Sequence, residues 1–433
     1  MSSVDSSPLI VVTMLGNGDY KPVEYCLRTQ LFKTELFPEA VARWYRPAKV
    51  MVLATKSVQE AEARPHLQNL TDRLRDLCPV TAISIPDGRS EAELWQIFAA
   101  MIEHLPIGCR IVLDVTHGFR SLPMVTLLAA LYLRQSDRVI VEQILYGAWE
   151  ARDPETNKAP VFELTPFLDM ANWMSAANVF LKTGHGGLIA DLLKQTQRDA
   201  WQNDAASIAR PRQLATLASN LQFLSEALLM TRVDEISRTA GLVSNSLSRA
   251  ESELQDWALP FAPMLERLQL LTISLQQPGL KAQRELLHWY MNHGHIVQCV
   301  TLAREWLVSL LQQLLELNGE ISDARHDVEV ILGRALATKR SEHSNPGNTQ
   351  TDPSVDPNLA KLDLQFQNLP QSKEIESAWS RLADLRNDVA HCGMRKQPRS
   401  TQAIRKLLSE TIELLDRLQL PDFETERATE VRP

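Results

Sequence analysis

The sequence predicts two structural classes in one chain: an α/β domain built on a parallel sheet over residues 1–165, then helices to the end. Three observations predict it. Short β-rich runs alternate with helical patterns only within the first 165 residues. From about Pro166 the strand formers thin out, and Leu, Ala, Gln, Ser and Arg take over with helical periodicity. A chain of 433 residues also exceeds one ordinary core, so two or three domains are expected.

Taken in order, the strand-like runs are Leu9–Leu15, Lys49–Ala54, Thr81–Ile85, Arg110–Val115 and Val139–Leu145. Helical patterns lie between them at Lys33–Tyr45, Gln59–Leu77, Glu91–His104 and Pro123–Arg134. Strand and helix in repeated alternation is the pattern of a parallel sheet covered on both faces. Val23–Thr29 reads as an extended insertion, and Val161–Leu164 as a late edge strand. Residues 166–284 form a helical connector, with a turn at Thr183-Gly-His-Gly-Gly187 and breaks at Pro260 and Pro263. Residues 285–433 form a third block. Its first long helix carries Ile296, Val300, Ala303, Leu307, Leu310 and Leu314 on one face. Residues 341–357, with Asn345-Pro-Gly347 and two further prolines, have the composition of a mobile loop. After it, Ile375, Trp379, Leu382, Leu385 and Val389 make one apolar stripe, and Gly393 sits where a left-handed helix stop is expected.

Bulk composition narrows the functions. With 44% hydrophobic and 23% charged residues, the chain has an ordinary soluble composition. A formal charge of −8 argues against a general nucleic-acid coating protein but leaves room for a small basic cleft. Cys26, Cys78, Cys109, Cys299 and Cys392 are scattered and show no Cys-x-x-Cys spacing. That suits reduced cytosolic thiols better than a disulfide framework or a zinc site. Met1–Pro8 lacks the basic start and apolar run of a signal peptide, and no stretch approaches a membrane span. A cytoplasmic location, with no membrane partner, is the expectation.

Two loops after strands are suited to a ligand, because open parallel sheets bind ligands beyond the carboxyl ends of their strands. The first is Leu15-Gly16-Asn17-Gly18-Asp19-Tyr20, where two glycines permit close backbone approach; a plain turn is the alternative. The second is Asp114-Val115-Thr116-His117-Gly118-Phe119-Arg120-Ser121, opening a helix near Leu122 and Pro123. Thr116, His117, Arg120 and free N–H groups there could converge on one anion. A structural hydrogen bond is the alternative for His117. Neither loop is a dinucleotide fingerprint or a P-loop, since the third glycine and the Gly-Lys-Ser/Thr are missing.

The second constellation is Arg386-Asn387-Asp388-Val389-Ala390-His391, on the last turns of the late helix. Asn387 and His391 are i,i+4 partners on one face, and Arg386 is long enough to reach over it. Guanidinium, amide and imidazole suit an RNA phosphodiester: they can hold the phosphate, orient a 2′-hydroxyl and move a proton without a metal. A helix-terminal His acting only as a C-cap is the alternative. His293 and His295 flank Gly294 before a helix and suit capping better than metal ligation, and His326 and His343 have no ligand spacing around them.

The runs Leu15–Val23 and Leu113–Pro123 resemble the CARF domain (CRISPR-associated Rossmann fold), nearest to the CARF–HEPN ancillary ribonucleases of type III CRISPR systems. Ile296–Glu305 is similar to the first long HEPN helix with its acidic residue, and Arg386-Asn387-x-x-x-His391 is similar to the HEPN active-site motif. The resemblance covers residues 8–165 and 285–420, with the middle helices as connector. It implies a Rossmann-like CARF sensor at 1–165 and an all-α HEPN ribonuclease at 285–433.

The ligand it implies is a cyclic oligoadenylate, cyclic tetra-adenylate first and cyclic hexa-adenylate second. Gly16, Asn17, Gly18, Asp19, Thr116, His117, Gly118, Phe119 and Arg120 would hold it across the two-fold axis of a homodimer. The implied activity is metal-independent cleavage of single-stranded RNA, leaving 2′,3′-cyclic phosphate ends. Arg386, Asn387 and His391 would be catalytic, and Glu305 would brace Arg386. A larger assembly of dimers is compatible with this, and no stable complex with the CRISPR effector is expected. Three rivals remain: a CARF domain that cleaves its own cyclic ligand, a CARF-based, ligand-gated transcription regulator, and a purely structural HEPN dimer that sequesters a partner.

Overall fold

The computed structural model describes residues 7–118, 121–202, 209–277, 279–317, 321–344, 357–394 and 396–421. The chain divides into two compact units, Met1–Asn172 and Trp173–Pro433.

The first unit runs β1 (Leu9–Met14), β2 (Val23–Leu27), β3 (Gln30–Thr34), α1 (Phe37–Tyr45), β4 (Lys49–Thr55), α2 (Lys56–Gln59), α3 (His66–Leu74), β5 (Val80–Ile85), α4 (Glu91–His104), β6 (Cys109–Asp114), α5 (Ser121–Gln135), β7 (Val139–Gly147) and β8 (Lys158–Glu163). Among the described residues these make one eight-stranded sheet in the order β3-β2-β8-β7-β6-β1-β4-β5. The strands β7, β6, β1, β4 and β5 are parallel, as the alternation predicts. Successive residues feed two separate cores. Ile10, Val12, Met51, Leu53, Ile111 and Leu113 pack with α4 and α5. Val11, Val50, Val52 and Val112 pack with α1 and α3. Burial on both faces is why these strands read as continuous apolar runs.

The other half of the sheet departs from expectation. Val23–Leu27 and Gln30–Thr34 form an antiparallel hairpin, so Lys33 and Thr34 are strand, and the first long helix begins only at Phe37. Arg28 takes a left-handed turn conformation at φ 54°. The strand containing Val161–Glu163 is interior, antiparallel to β7 and parallel to β2, so β3 takes the edge. The pattern at Gln59–Leu77 resolves into the short α2 and the separate α3.

The second class is helical throughout: α6 (Thr165–Thr183), α7 (Gly187–Gln202), α8 (Leu214–Leu229), α9 (Val233–Trp257), α10 (Ala262–Gln276), α11 (Gly279–Asn292), α12 (Ile296–Leu314), α13 (Ile321–Ser344), α14 (Pro357–Gln367), α15 (Ser372–Ala390) and α16 (Thr401–Arg417). The turn at 183–187 and the interruption at Pro260 fall where the sequence puts them. Of the loop expected at 341–357, Ser344 closes α13 and Pro357 opens α14, while 345–356 lie outside the described residues. The apolar stripes of α12 and α15 are buried together at Val300, Ala303, Leu307, Ile375, Leu382 and Leu385. No helix among the described residues is long and apolar enough to cross a membrane.

Candidate functional site

Two places carry polar chemistry, one in each unit. In the first unit the strands β1 and β6 are neighbours, so the loops at their carboxyl ends start side by side. Asp114, fully buried, joins them. Its Oδ2 accepts from Thr13 Oγ1 at 2.7 Å, and its Oδ1 accepts from the Thr116 N–H at 2.8 Å. Burial pushes its pKa up to about 6, only partly offset by those donors. Thr116 Oγ1 in turn accepts from the Gly147 N–H at 2.8 Å. A side chain at Gly147 could not fit, since a Cβ there would lie 2.8 Å from the Tyr25 ring and 2.9 Å from Phe37.

His117 is buried, and its Nε2 accepts the Phe37 N–H at 3.3 Å. The acceptor nitrogen must be unprotonated, so the proton sits on Nδ1. Burial, aided by the nearby His66, lowers the His117 pKa to about 3. The positive end of α1, which Phe37 opens, suits a neutral ring. One face of His117 is covered by Tyr20, with ring centroids 4.1 Å apart, and the other face of Tyr20 is covered by His66 at 4.4 Å.

This three-ring stack closes the glycine loop. Tyr20 Oη accepts from the Gly16 N–H at 2.8 Å and donates to the Gly16 carbonyl at 3.1 Å. Burial raises the Tyr20 pKa, so the hydroxyl keeps its proton. Arg64 donates to the Asn17 carbonyl at 2.8 Å, and His66 Nε2 lies 2.9 Å from the Gly18 carbonyl, to which it donates. With those carbonyls turned to Arg64 and His66, the exposed amides of Asn17, Gly18 and Asp19 have no acceptor among the described residues. A run of free N–H groups is a receptor for an anion. The glycines are needed for the clasp: a Cβ at Gly18 would lie 3.1 Å from Tyr20 Cε1, and one at Gly16 3.2 Å from Tyr20 Oη.

The structure thus brings Gly16, Asn17, Gly18, Asp19, Thr116, His117 and Gly118 to one end of the sheet, while Phe119 and Arg120 lie outside the described residues. Thr116 and His117 face the fold with the atoms expected to meet a ligand. Tyr20, named only as the end of the loop, and Arg64 and His66, which pattern reading missed, shape the loop instead. Only the stack and the clasp reveal them, because Arg64 is 47 residues from its partner Asn17.

In the second unit α15 runs unbroken to Ala390, with His391 at its cap. The chain then reverses through Cys392 at φ 51° and Gly393 at φ 74°, and the Gly393 N–H returns to the Asp388 carbonyl at 3.2 Å. This is the expected left-handed stop, begun one residue earlier. Arg386 and His391 are exposed and Asn387 half-buried. Among the described residues, their three side chains have no hydrogen-bond or ion-pair partner. Asp388 is buried and paired with Arg399, which also binds Asp384 at 3.0 Å.

Glu305 does not brace Arg386. Its Oε1 accepts from Arg304 at 2.8 Å and its Oε2 accepts from Arg325, two guanidinium groups closer at hand on α12 and α13. His293 lies 2.6 Å from the Trp289 carbonyl and 2.9 Å from that of Leu181, and His295 lies 2.7 Å from that of Thr183. Both rings meet carbonyls at the end of α6 rather than capping α12, whose N-cap residue His295 makes no side-chain cap bond, so the capping expected from their position before α12 falls on a different helix end.

Comparison with known proteins follows this division. Residues 10–148 match the family model described as the CRISPR system endoribonuclease Csx1, CARF domain. Residues 169–270 match the model described as the CRISPR-associated protein MJ1674, second domain. The CRISPR-associated protein MJ1674 of Methanocaldococcus jannaschii is 29% identical over 115 residues, 26% of this chain and 18% of that protein's length. A solved structure of Enterococcus italicus Csm6 bound to cyclic hexa-2'-fluoro-hexa-dAMP is 12% identical, covers 95% of this chain and 93% of its own, and has a TM-score of 0.43, a loose likeness. The CARF resemblance of the first unit therefore holds over nearly all of its sheet, and the chain is similar to CRISPR-associated proteins on both sides of residue 165.

Proposed function

We propose that the chain is an endoribonuclease of CRISPR antiviral defence, switched on when a cyclic oligoadenylate binds its CARF-like unit. One observation carries the catalytic half of this reading. Arg386, Asn387 and His391 stand on a helix end with their side chains unengaged among the described residues, while Asp388 and Arg399 beside them are paired, and so are Glu305, Arg304 and Arg325 on α12 and α13. Leaving a guanidinium, an amide and an imidazole free together gains nothing for folding and suits a substrate.

The chemistry follows from the groups. Arg386 holds the scissile phosphate and stabilises the charge that grows on its oxygens. His391 takes the 2′-hydroxyl proton or returns one to the leaving 5′-oxygen, which contributes about 10²–10⁴ in rate. Asn387 holds His391 or the phosphate. Attack by the 2′-oxygen leaves a 2′,3′-cyclic phosphate, and single-stranded RNA is the substrate because its backbone can align for that attack. Residues 285–433 form the ribonuclease part and 166–284 the connector.

For the sensor, the open amides of Asn17, Gly18 and Asp19 suit adenylate phosphates, cyclic tetra-adenylate first and cyclic hexa-adenylate second. A homodimer is supported by an exposed apolar stripe on α5, where Met124, Leu128 and Tyr132 are 67%, 58% and 51% exposed, beside Trp95 of α4 at 69%. Patches of this kind mark association surfaces. Cleavage of the ligand by Thr116 and His117 is disfavoured, since Nε2 of His117 and Oγ1 of Thr116 already serve Phe37 and Gly147.

The test is RNA cleavage with a panel of cyclic oligoadenylates, with and without EDTA. His391→Ala and Arg386→Ala should still bind the activator and lose cleavage by at least about a hundredfold. Cleavage that survives His391→Ala but fails with chelator would sink the reading.

A further inference from the structure

We propose that Trp149 and Arg152 form a base-stacking platform for the cyclic oligoadenylate, at the end of β7 and beside the glycine loop. The inference rests on the sensor half of the proposed function and adds two residues to that site. β7 ends at Gly147, and a single turn of helix, Trp149–Ala151, follows before β8 begins at Lys158. β7 runs parallel to β6, and β8 runs antiparallel to β7. The connection between them therefore lies on the edge of the sheet that carries the Gly16 and Thr116 loops. Hydrogen bonds tie it there at both ends. The Gly147 N–H donates to Thr116 Oγ1 at 2.8 Å, and Asn157 Nδ2 donates at 3.2 Å to the carbonyl of Pro22, just beyond the glycine loop.

Within this connection Arg152 is set over an aromatic face and not against a carboxylate. Its guanidinium carbon lies 3.8 Å from the centroid of the Trp149 ring, and its Nη1 donates to the Trp149 carbonyl at 3.4 Å. The two acidic residues nearest to it in sequence are engaged elsewhere. Glu150 accepts from the Tyr146 hydroxyl, and Asp153 accepts from the Glu155 N–H and the Thr156 hydroxyl. Arg152 makes no ion pair among the described residues, and Trp149 is left 38% exposed. A guanidinium carries its N–H donors in its plane, so its face can stack while its edge donates. Nucleic-acid bases stack on aromatic rings and on guanidinium planes alike. An adenine of the ligand stacks on this pair, and the edge of Arg152 meets the adjoining phosphate. The open amides of Asn17, Gly18 and Asp19 take another phosphate. Stacking tolerates any base, so the platform sets affinity and not base identity.

The test measures cyclic tetra-adenylate binding to the full-length protein by calorimetry at stepped salt, with tryptophan fluorescence and thermal unfolding alongside. Trp149→Ala should weaken binding by roughly tenfold, the share of one base stack. Trp149→Phe keeps an aromatic face and should stay within about threefold of wild type. Ligand should quench a part of the wild-type fluorescence that Trp149→Phe lacks. Arg152→Ala should lose roughly fivefold at low salt and less at high salt, because its phosphate contact is screened. Arg152→Lys keeps the charge and should keep the wild-type salt dependence. Affinity lost only in step with thermal stability, with the salt dependence unchanged in Arg152→Ala, would mark a structural pair and overturn the platform. Trp149→Ala and Arg152→Ala that bind as tightly as wild type overturn it too, and leave the sensor reading standing. A wild type that binds no cyclic oligoadenylate overturns both.

Discussion

Phe37 donates its backbone N–H to Nε2 of His117 across 3.3 Å, so the loop after β6 caps the first long helix of the sheet domain. The N–H belongs to a helix N-terminus that no side chain of its own caps. His117→Ala should therefore act first on stability. It orphans a buried donor and removes one partner of the Tyr20 stack, together about 2–4 kcal/mol. Chemical unfolding of the N-terminal unit should show the loss even without ligand. Unchanged stability with ligand affinity abolished would instead place His117 in direct contact with the ligand.

The same pair sets a pH dependence. His117 has its pKa lowered to about 3 in the folded protein, so the unfolded chain binds more protons between that value and the ordinary imidazole range. Its contribution is complete above pH ~6.5 and is lost as pH falls toward 3, by several kcal/mol. Asp114 works the other way. Its folded pKa is raised to about 6, so the folded state binds the extra proton, and stability from this group rises as pH falls from 6 toward 4. The two slopes oppose one another in wild type. Asp114→Asn keeps an acceptor for the Thr116 N–H and removes one slope, so its stability should fall more steeply than wild type between pH 6 and 4. Parallel curves in urea titrations at stepped pH would contradict the burial of that carboxylate.

The glycine loop makes a sharper prediction about binding. Gly18→Ala pushes a methyl group against Tyr20 Cε1, 3.1 Å from an ideal Cβ, and Tyr20→Phe removes the hydroxyl clasp on Gly16. Each should weaken cyclic tetra-adenylate binding by roughly tenfold in calorimetry, about 1.4 kcal/mol, while the sheet stays folded. Equal weakening by both would mark the clasp, and not the glycine backbone alone, as the ordered element.

How far these features are legible in the sequence depends on what each residue touches. The strands β1, β4 and β6 are legible because both of their faces are buried, so nearly every residue is apolar. Gln30–Thr34 escapes because an edge strand needs only one buried side, and its turn at Arg28 lacks the usual Gly or Asn. The place of Val161 inside the sheet cannot be read from a short run, since pairing order is a property of the whole sheet. Arg386, Asn387 and His391 are legible as a constellation because four- and five-residue spacings act within one helix. The partners of Glu305 are not, because they depend on which helix packs against α12. The stack of His66 on Tyr20 on His117 joins residues 46 and 97 positions apart from Tyr20, and only the folded sheet brings them together.

The exposed stripe on α5 yields the last prediction. Met124, Leu128 and Tyr132 recur every four residues, so they form one ridge, and Phe98 of α4 lies between Trp95, which it meets edge-on, and Tyr132, which it meets at a tilt. Four large apolar side chains left at 51–69% exposure keep much of their apolar surface in water in a single chain. Covered by a second copy, each would gain about 1–2 kcal/mol from the area it removes from water. Leu128→Asp places a charge at the centre of the ridge, where burial would cost several kcal/mol without a partner. Sedimentation should show the wild type as a dimer and Leu128→Asp as a folded monomer. If a cyclic ligand needs two copies of the Gly16–Asp19 loop, that monomer should also lose most of its affinity for cyclic tetra-adenylate. A monomer that binds as tightly as wild type would mean one copy of the loop suffices, and a variant that stays dimeric would move the interface elsewhere.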